Sequence, residues 1–298
     1  MKFDTKNYLR QKQSLINEYL DIYMPKDNLY PIEICQAMRY SVFAGGKRLR
    51  PILTIASCEA VGGKELEAIK VACAIELIHT YSLIHDDLPA MDDDDFRRGK
   101  PTCHKVFGEG IAILAGDALL TYAFELLAEA PIPNNCLKQL EIIKEISVAA
   151  GYKGMIAGQN IDLISEKNHQ AITPDILSYI HENKTGALFR AAIKSGALLG
   201  GANEQQLESL VLYARYFGLA FQIVDDILDV EGNSKIMGKS IGSDKKNQKA
   251  TYPSLYGLEK SKTMASEAIN KALDCLSGFG NKANALSAIA IYTLTRNN

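Results

Sequence analysis

The chain has 298 residues, 47% of them hydrophobic and 23% charged, a balance that fits a folded globular protein and excludes a disordered one. Its formal net charge of −2 supplies no broad basic field, so neither nucleic acid nor an anionic membrane surface is expected as a partner. No run reads as long and uncharged enough to span a bilayer, and the N-terminus MKFDTKNYLR has no apolar signal core, so a cytoplasmic location is expected. Cys35, Cys58, Cys73, Cys103, Cys136 and Cys275 form no CxxC pair and mostly lie in apolar stretches, as reduced core cysteines would. Leu, Ala, Ile, Glu and Lys dominate, and apolar residues recur at three- and four-residue spacing. No alternating strand stands out, so residues 1–298 read as one all-α domain.

In chain order, the helical pattern breaks at Pro25 to Pro31, Gly62-Gly63, Gly99 to Pro101, Pro131 to Asn135, Asn168 to Pro174 and Gly200 to Asn203. Thr173-Pro174 reads as a helix start, a hydroxyl cap followed by proline in the first turn. The stretches 65–90, 104–129 and 203–230 are apolar nearly all round, which predicts central helices. The polar stretch 231–250 reads as a mobile loop.

Charged motifs punctuate these helices. Gly45-Gly46-Lys47-Arg48-Leu49-Arg50-Pro51 places small residues and cations at a helix start, where open backbone donors favour anions, but without the spacing of a Walker A loop. Further on stands Asp86-Asp87-Leu88-Pro89-Ala90-Met91-Asp92, followed by Asp93 to Asp95 and Arg97-Arg98. In a regular helix Asp86 and Asp92 would lie about 120° apart. Pro89 cannot continue one, so the helix is predicted to end or bulge at Leu88 to Met91 and to return Asp92 to Asp86. His79 and Ser82 share the Asp86 face, whereas Asp93 to Asp95 read as a solvated loop. Lys184-Thr185-Gly186 interrupts a helical stretch with a costly glycine, which predicts a functional kink. Finally, Gln222, Asp225 and Asp229 fall on one helix face, the two carboxylates about 40° apart.

A carboxylate on a buried helix is unfavourable unless paired or coordinated. Taken singly, each basic residue is a surface charge more often than a ligand. Their recurrence beside both acidic clusters points to hard cations shared with a phosphorylated ligand.

The segments GGKRLRP, HTYSLIHDDLPAMDDDDFRRGKPTCH, GQNIDL, KTG and FQIVDDILD, in that order, closely resemble the short-chain trans-prenyltransferases of the polyprenyl synthase family, nearest to its bacterial-type farnesyl diphosphate synthases. The resemblance runs from about Pro31 to Tyr252. It implies a single-domain helical barrel of the isoprenoid synthase type around a deep central cavity, and a homodimer. It also implies magnesium, three ions per site, held by Asp86, Asp87 and Asp92 and by Asp225 and Asp229. By the same resemblance Arg97, Lys184, Thr185, Gln222, Lys239 and Lys249 hold an allylic diphosphate. Gly46, Lys47, Arg50, His79 and Arg98 hold isopentenyl diphosphate, and Asp86, Asp92, Lys184 and Asp225 are the catalytic set. Gln159 and Asp162 match a cavity-facing motif. Tyr81 and Ser82, five and four residues before Asp86, match the positions that set product length. The helical wheel favours Ser82, while the resemblance and the bulk of the ring favour Tyr81 and a fifteen-carbon farnesyl product.

A geranylgeranyl diphosphate synthase is the alternative within the family. A class I terpene cyclase would share the two metal motifs without needing the Lys47, Arg50 and His79 site. A helical metal phosphohydrolase needs an upstream histidine that only His79 supplies, and a non-catalytic prenyltransferase subunit would usually lack aspartates present here.

Overall fold

Helix α4 (Glu65–Asp86) is apolar on every face, and the computed structural model, which describes residues 3–130, 136–168, 173–231 and 251–296, surrounds it with other helices. It begins where the Glu67 carboxylate accepts the Lys64 N–H at 2.9 Å, and it packs on α3 (Leu49–Val61) and on α6 (Glu109–Ala128). Before these come α1 (Thr5–Tyr23) and α2 (Ile32–Val42). Between α4 and α6 lie a small hairpin and α5 (Cys103–Phe107). The second half holds α7 (Cys136–Ala150), α8 (Met155–Asn168), α9 (Pro174–Ile180), α10 (Gly186–Leu199) and α11 (Glu204–Glu231). It closes with α12 (Tyr252–Tyr256), α13 (Leu258–Asp274) and α14 (Asn284–Thr295). The main hydrophobic core runs from Ile16 of α1 to Ala290 of α14, with a smaller cluster around Leu177, Ile223 and Tyr252, and burial of this apolar surface is the dominant favourable term in folding.

The predicted breaks that fall on described residues lie between helices, the one at Gly99 to Pro101 within a hairpin. Thr173 Oγ1 accepts the Ile176 N–H at 3.3 Å with Pro174 in the first turn, as its sequence predicts. Three expectations need correction. First, strands exist: Phe96–Arg97 (β1) pairs antiparallel with Lys100–Pro101 (β2), with Arg97 opposite Lys100. The turn residues Arg98 and Gly99 both take positive φ, 55° and 75°, as a two-residue hairpin requires. Strands two residues long carry no alternation to detect. Second, α6 and α11 are long and apolar enough by length and composition to cross a membrane. Both pack against neighbouring helices, α6 on α4 and α2, α11 on α13 and α10. Third, α6 is not wholly central: Ile113 and Leu114 are exposed on its outer face.

Candidate active site

The α4 helix ends at Asp86, and the chain then turns back through Leu88 to Met91, so that the Asp92 N–H donates to the Asp86 carbonyl at 2.9 Å. The two aspartates are thus neighbours, as Pro89 predicts. Burial pushes the Asp86 carboxyl up to about 6; Lys184 opposes this and Asp92 adds to it. Asp87 is buried, and both its oxygens accept from Arg97 Nε, at 2.6 and 2.9 Å. It is a partner for Arg97, and its charge also raises Asp86. The guanidinium of Arg97 is held there, 3.5 Å from Asp94, and does not line the central cavity.

That cavity, about 410 Å³, is lined from α4 by His79, Tyr81, Ser82 and Asp86, and from across the bundle by Arg50, Gln159, Lys184 and Thr185. Met155, Ile156 and Leu163 of α8 give it an apolar side. Among the described residues, Gln159 Oε1 and Arg50 Nε are buried without a hydrogen-bond partner. Orphaned polar atoms on a cavity wall are what a polar ligand would satisfy.

The basic motif forms a second cluster. Arg48 is structural, forming a buried ion pair with Glu76 at 2.7 Å. Arg50 lies over the Phe189 ring at 4.5 Å, and burial lowers its pKa to about 10, so it stays a cation at neutral pH. Its Nη1 donates to His79 Nε2 at 3.2 Å, which leaves the His79 proton on Nδ1. Burial, and then the arginines led by Arg50, hold His79 well below its usual pKa, hence neutral. Arg98 donates to the Gly45 carbonyl, and a side chain at Gly46 would collide with its guanidinium, 2.7 Å from Cζ. Gly46, Arg50, His79 and Arg98 therefore belong together. Lys47 is lowered by burial and by Arg296, with Asp225 opposing.

The glycine after Lys184-Thr185 marks a real irregularity. His181–Thr185 is a π-helical turn between α9 and α10, the kind of bulge that redirects side chains at functional sites. Lys184 Nζ pairs with Asp162 at 2.6 Å, and Thr185 Oγ1 donates to Gln222 Oε1 at 2.9 Å. Gln222 Nε2 in turn donates to Asp226 at 3.0 Å. Asp225 and Asp229 share the α11 face, with Asp226 turned inward to accept the Tyr252 N–H at 2.9 Å. Lys239, Lys249 and the segment 232–250 lie outside the described residues.

Two site residues escape sequence reasoning. Arg296, almost at the C-terminus, pairs with Asp225 and lies 4.0 Å from the Phe221 ring centroid. Gly158 lets α8 approach the π-turn: a Cβ there would sit 2.6 Å from Lys184 Cα. A glycine inside a helical motif was the available signal for Gly158; nothing local marks Arg296.

The Asp86 shift predicts a pH effect. The folded pKa is raised above the ordinary 3.8, so the fold favours the neutral carboxyl. Stability contributed by this group is full below pH 4 and is lost as pH rises through about 6. Asp86→Asn removes the penalty, so metal-free Asp86→Asn should gain up to about 3 kcal/mol over wild type between pH 4 and 7. A stability difference flat with pH in urea titrations would contradict this.

An all-α bundle with a carboxylate cluster and a guanidinium cluster at a half-apolar cavity defines the isoprenoid synthase class. The comparisons agree: a profile of the polyprenyl synthetase family matches residues 32–290. The chain is 47% identical over 298 residues to a geranylgeranyl diphosphate synthase of Cyanophora paradoxa, covering 99% of this chain and 98% of that one. It superposes on the crystal structure of a FPP/GFPP synthase from Zymomonas mobilis with a TM-score of 0.88 at 39% identity, covering 97% and 98% of the two chains. A putative farnesyl-diphosphate synthase from a Marinomonas species gives a TM-score of 0.83 at 41% identity, covering 98% and 99%. The chain belongs to the polyprenyl synthetase family and is a prenyl diphosphate synthase, an enzyme that joins isopentenyl and allylic diphosphates.

Proposed function

We propose that this prenyltransferase condenses isopentenyl diphosphate head to tail with dimethylallyl and then geranyl diphosphate, and stops at farnesyl diphosphate. The observation that carries the product length is Tyr81. Its ring is 5% exposed, lines the cavity and meets the His85 ring edge-on at 5.7 Å. It stands about 7 Å along α4 from Asp86, where the tail of a bound diphosphate would descend. A second reading, the twenty-carbon geranylgeranyl product, is favoured by the name of the Cyanophora relative, and relatedness weighs more for it than for fifteen carbons.

Lys184, Thr185 and Gln222 would hold the allylic diphosphate, and Gly46, Lys47, Arg50, His79 and Arg98 the isopentenyl one. In the reaction the allylic C–O bond breaks and its electron pair leaves on diphosphate. The isopentenyl double bond then attacks the allylic cation, and a proton is lost to the departed diphosphate. Lys184 stabilises the leaving charge, and the apolar wall of α8 keeps water and bases from the cation. The donors fit magnesium: Asp86, Asp92, Asp225 and Asp229 offer hard carboxylate oxygens, and Asp86 carries an undercompensated charge. Among the described residues no three such side chains close a cage by themselves, so substrate phosphate and water would complete the coordination of the proposed three ions. Magnesium bound there would neutralise charge on the leaving diphosphate.

Incubation with isopentenyl and geranyl diphosphates plus magnesium, with chromatography of the product, tests this. The native enzyme should give the fifteen-carbon product. Tyr81→Ala should shift it towards twenty, each added methylene burying about 0.8 kcal/mol. A native twenty-carbon product would establish the second reading; an unchanged product from Tyr81→Ala would remove Tyr81 as the floor.

The proposal includes a cytoplasmic homodimer. Exposed Ile113 and Leu114, adjacent on the outer side of α6, are apolar side chains that a partner subunit would cover. Sedimentation equilibrium should return twice the chain mass of 32.7 kDa, and a monomer at micromolar concentration would reject it. Fractionation of the source cells, with the protein at the membrane or outside, would reject the location.

A further inference from the structure

The π-turn that carries Lys184 and Thr185 to the central cavity carries His181 and Glu182 to another one. This second cavity, about 290 Å³, lies between the turn, α10 and α11, and takes in Arg190, Arg215, Tyr216 and Tyr252. The reaction assigned above uses none of these six residues. Two guanidinium groups meet here with a single carboxylate. Glu182 Oε1 is 3.3 Å from Arg215 Nη2, and both side chains of this pair are well exposed, so the contact neutralises little. Arg190 donates from Nη1 to the Glu182 backbone carbonyl at 2.9 Å, and among the described residues it has no carboxylate hydrogen-bonded to it. His181 is buried, stacked on Tyr252 at 5.4 Å, with its Nε2 3.9 Å from an Asp226 carboxylate oxygen.

Two guanidinium forks on one cavity wall, against a single half-exposed carboxylate, are a donor set that suits an oxyanion. A carboxylate has two oxygens for this pair, whereas a tetrahedral phosphate can accept from both guanidinium groups and still present an ester oxygen to the cavity. The Tyr216 and Tyr252 rings add flat apolar surface beside that wall. We infer that this cavity is a second ligand site, separate from the condensation site, that binds a small molecule through its phosphate group.

The test is isothermal titration of the full chain with inorganic phosphate and, separately, with phenyl phosphate. Arg215→Gln, Arg190→Gln and Arg190→Lys are compared with wild type, and Arg50→Gln marks phosphate binding at the central cavity. The expected result is a binding step that weakens at least tenfold in Arg215→Gln and Arg190→Gln, less in Arg190→Lys, and persists in Arg50→Gln. Arg215 is exposed, so its variant should fold even where an Arg190 variant does not. Tighter binding of phenyl phosphate assigns the ligand as an organic phosphate held against the tyrosines; equal binding assigns free phosphate. A titration in which Arg215→Gln matches wild type, or in which Arg50→Gln abolishes all phosphate binding, overturns the site.

Discussion

Asp86→Ala and Asp225→Ala should each lower kcat by about 10²-fold or more at saturating magnesium, the scale expected when a strong transition-state stabiliser is removed. Asp86 is half-buried beside Asp92 with its carboxyl raised, a charge that the surrounding protein does not fully compensate. Asp225 has Arg296 as its protein partner, so that pair must open or share for Asp225 to serve a cation. Asp87→Asn is the contrast: it removes the partner of Arg97 and should act mainly through stability. Arg50→Gln should instead raise KM for isopentenyl diphosphate more than for the allylic substrate, with direct binding the cleaner readout. Near wild-type turnover in either alanine variant would sink the metal-site assignment, and equal effects of Arg50→Gln on both substrates would sink the division of the two diphosphates.

Gly158→Ala should cost kcat about 10²-fold although residue 158 touches no substrate. The added methyl would lie 2.6 Å from Lys184 Cα and 2.8 Å from its Cβ, and the neighbour it meets is backbone, which cannot swing aside. Either α8 retreats or the π-turn shifts, and Lys184 moves from its place beside Asp162. Misplacement of a catalytic group by about 1 Å is enough for a loss of this size. Circular dichroism would establish that the variant folds, and steady-state kinetics would separate kcat from KM. A folded Gly158→Ala enzyme with kcat within about threefold of wild type would show that the close approach is packing alone.

Much of this site was legible in the sequence because it depends on local rules. The return of Asp92 to Asp86 follows from Pro89, which cannot extend α4. The common face of Gln222, Asp225 and Asp229 follows from the helical period, and the irregularity before Gly186 from the cost of glycine in a helix. Periodicity, however, states which face of a helix is apolar and not what that face will meet. It made α6 central, whereas Ile113 and Leu114 look outward. It favoured Ser82 over Tyr81, whereas the cavity wraps far enough round α4 for both to line it. The pairing of Asp87 with Arg97 hangs on a hairpin too short to leave a pattern, and that of Asp225 with Arg296 joins residues 71 apart in the chain. Which charges neutralise one another, and which stay available for a ligand, was decided by packing. Ion pairs and close backbone approaches form between segments whose separation along the chain carries no information about their distance in space.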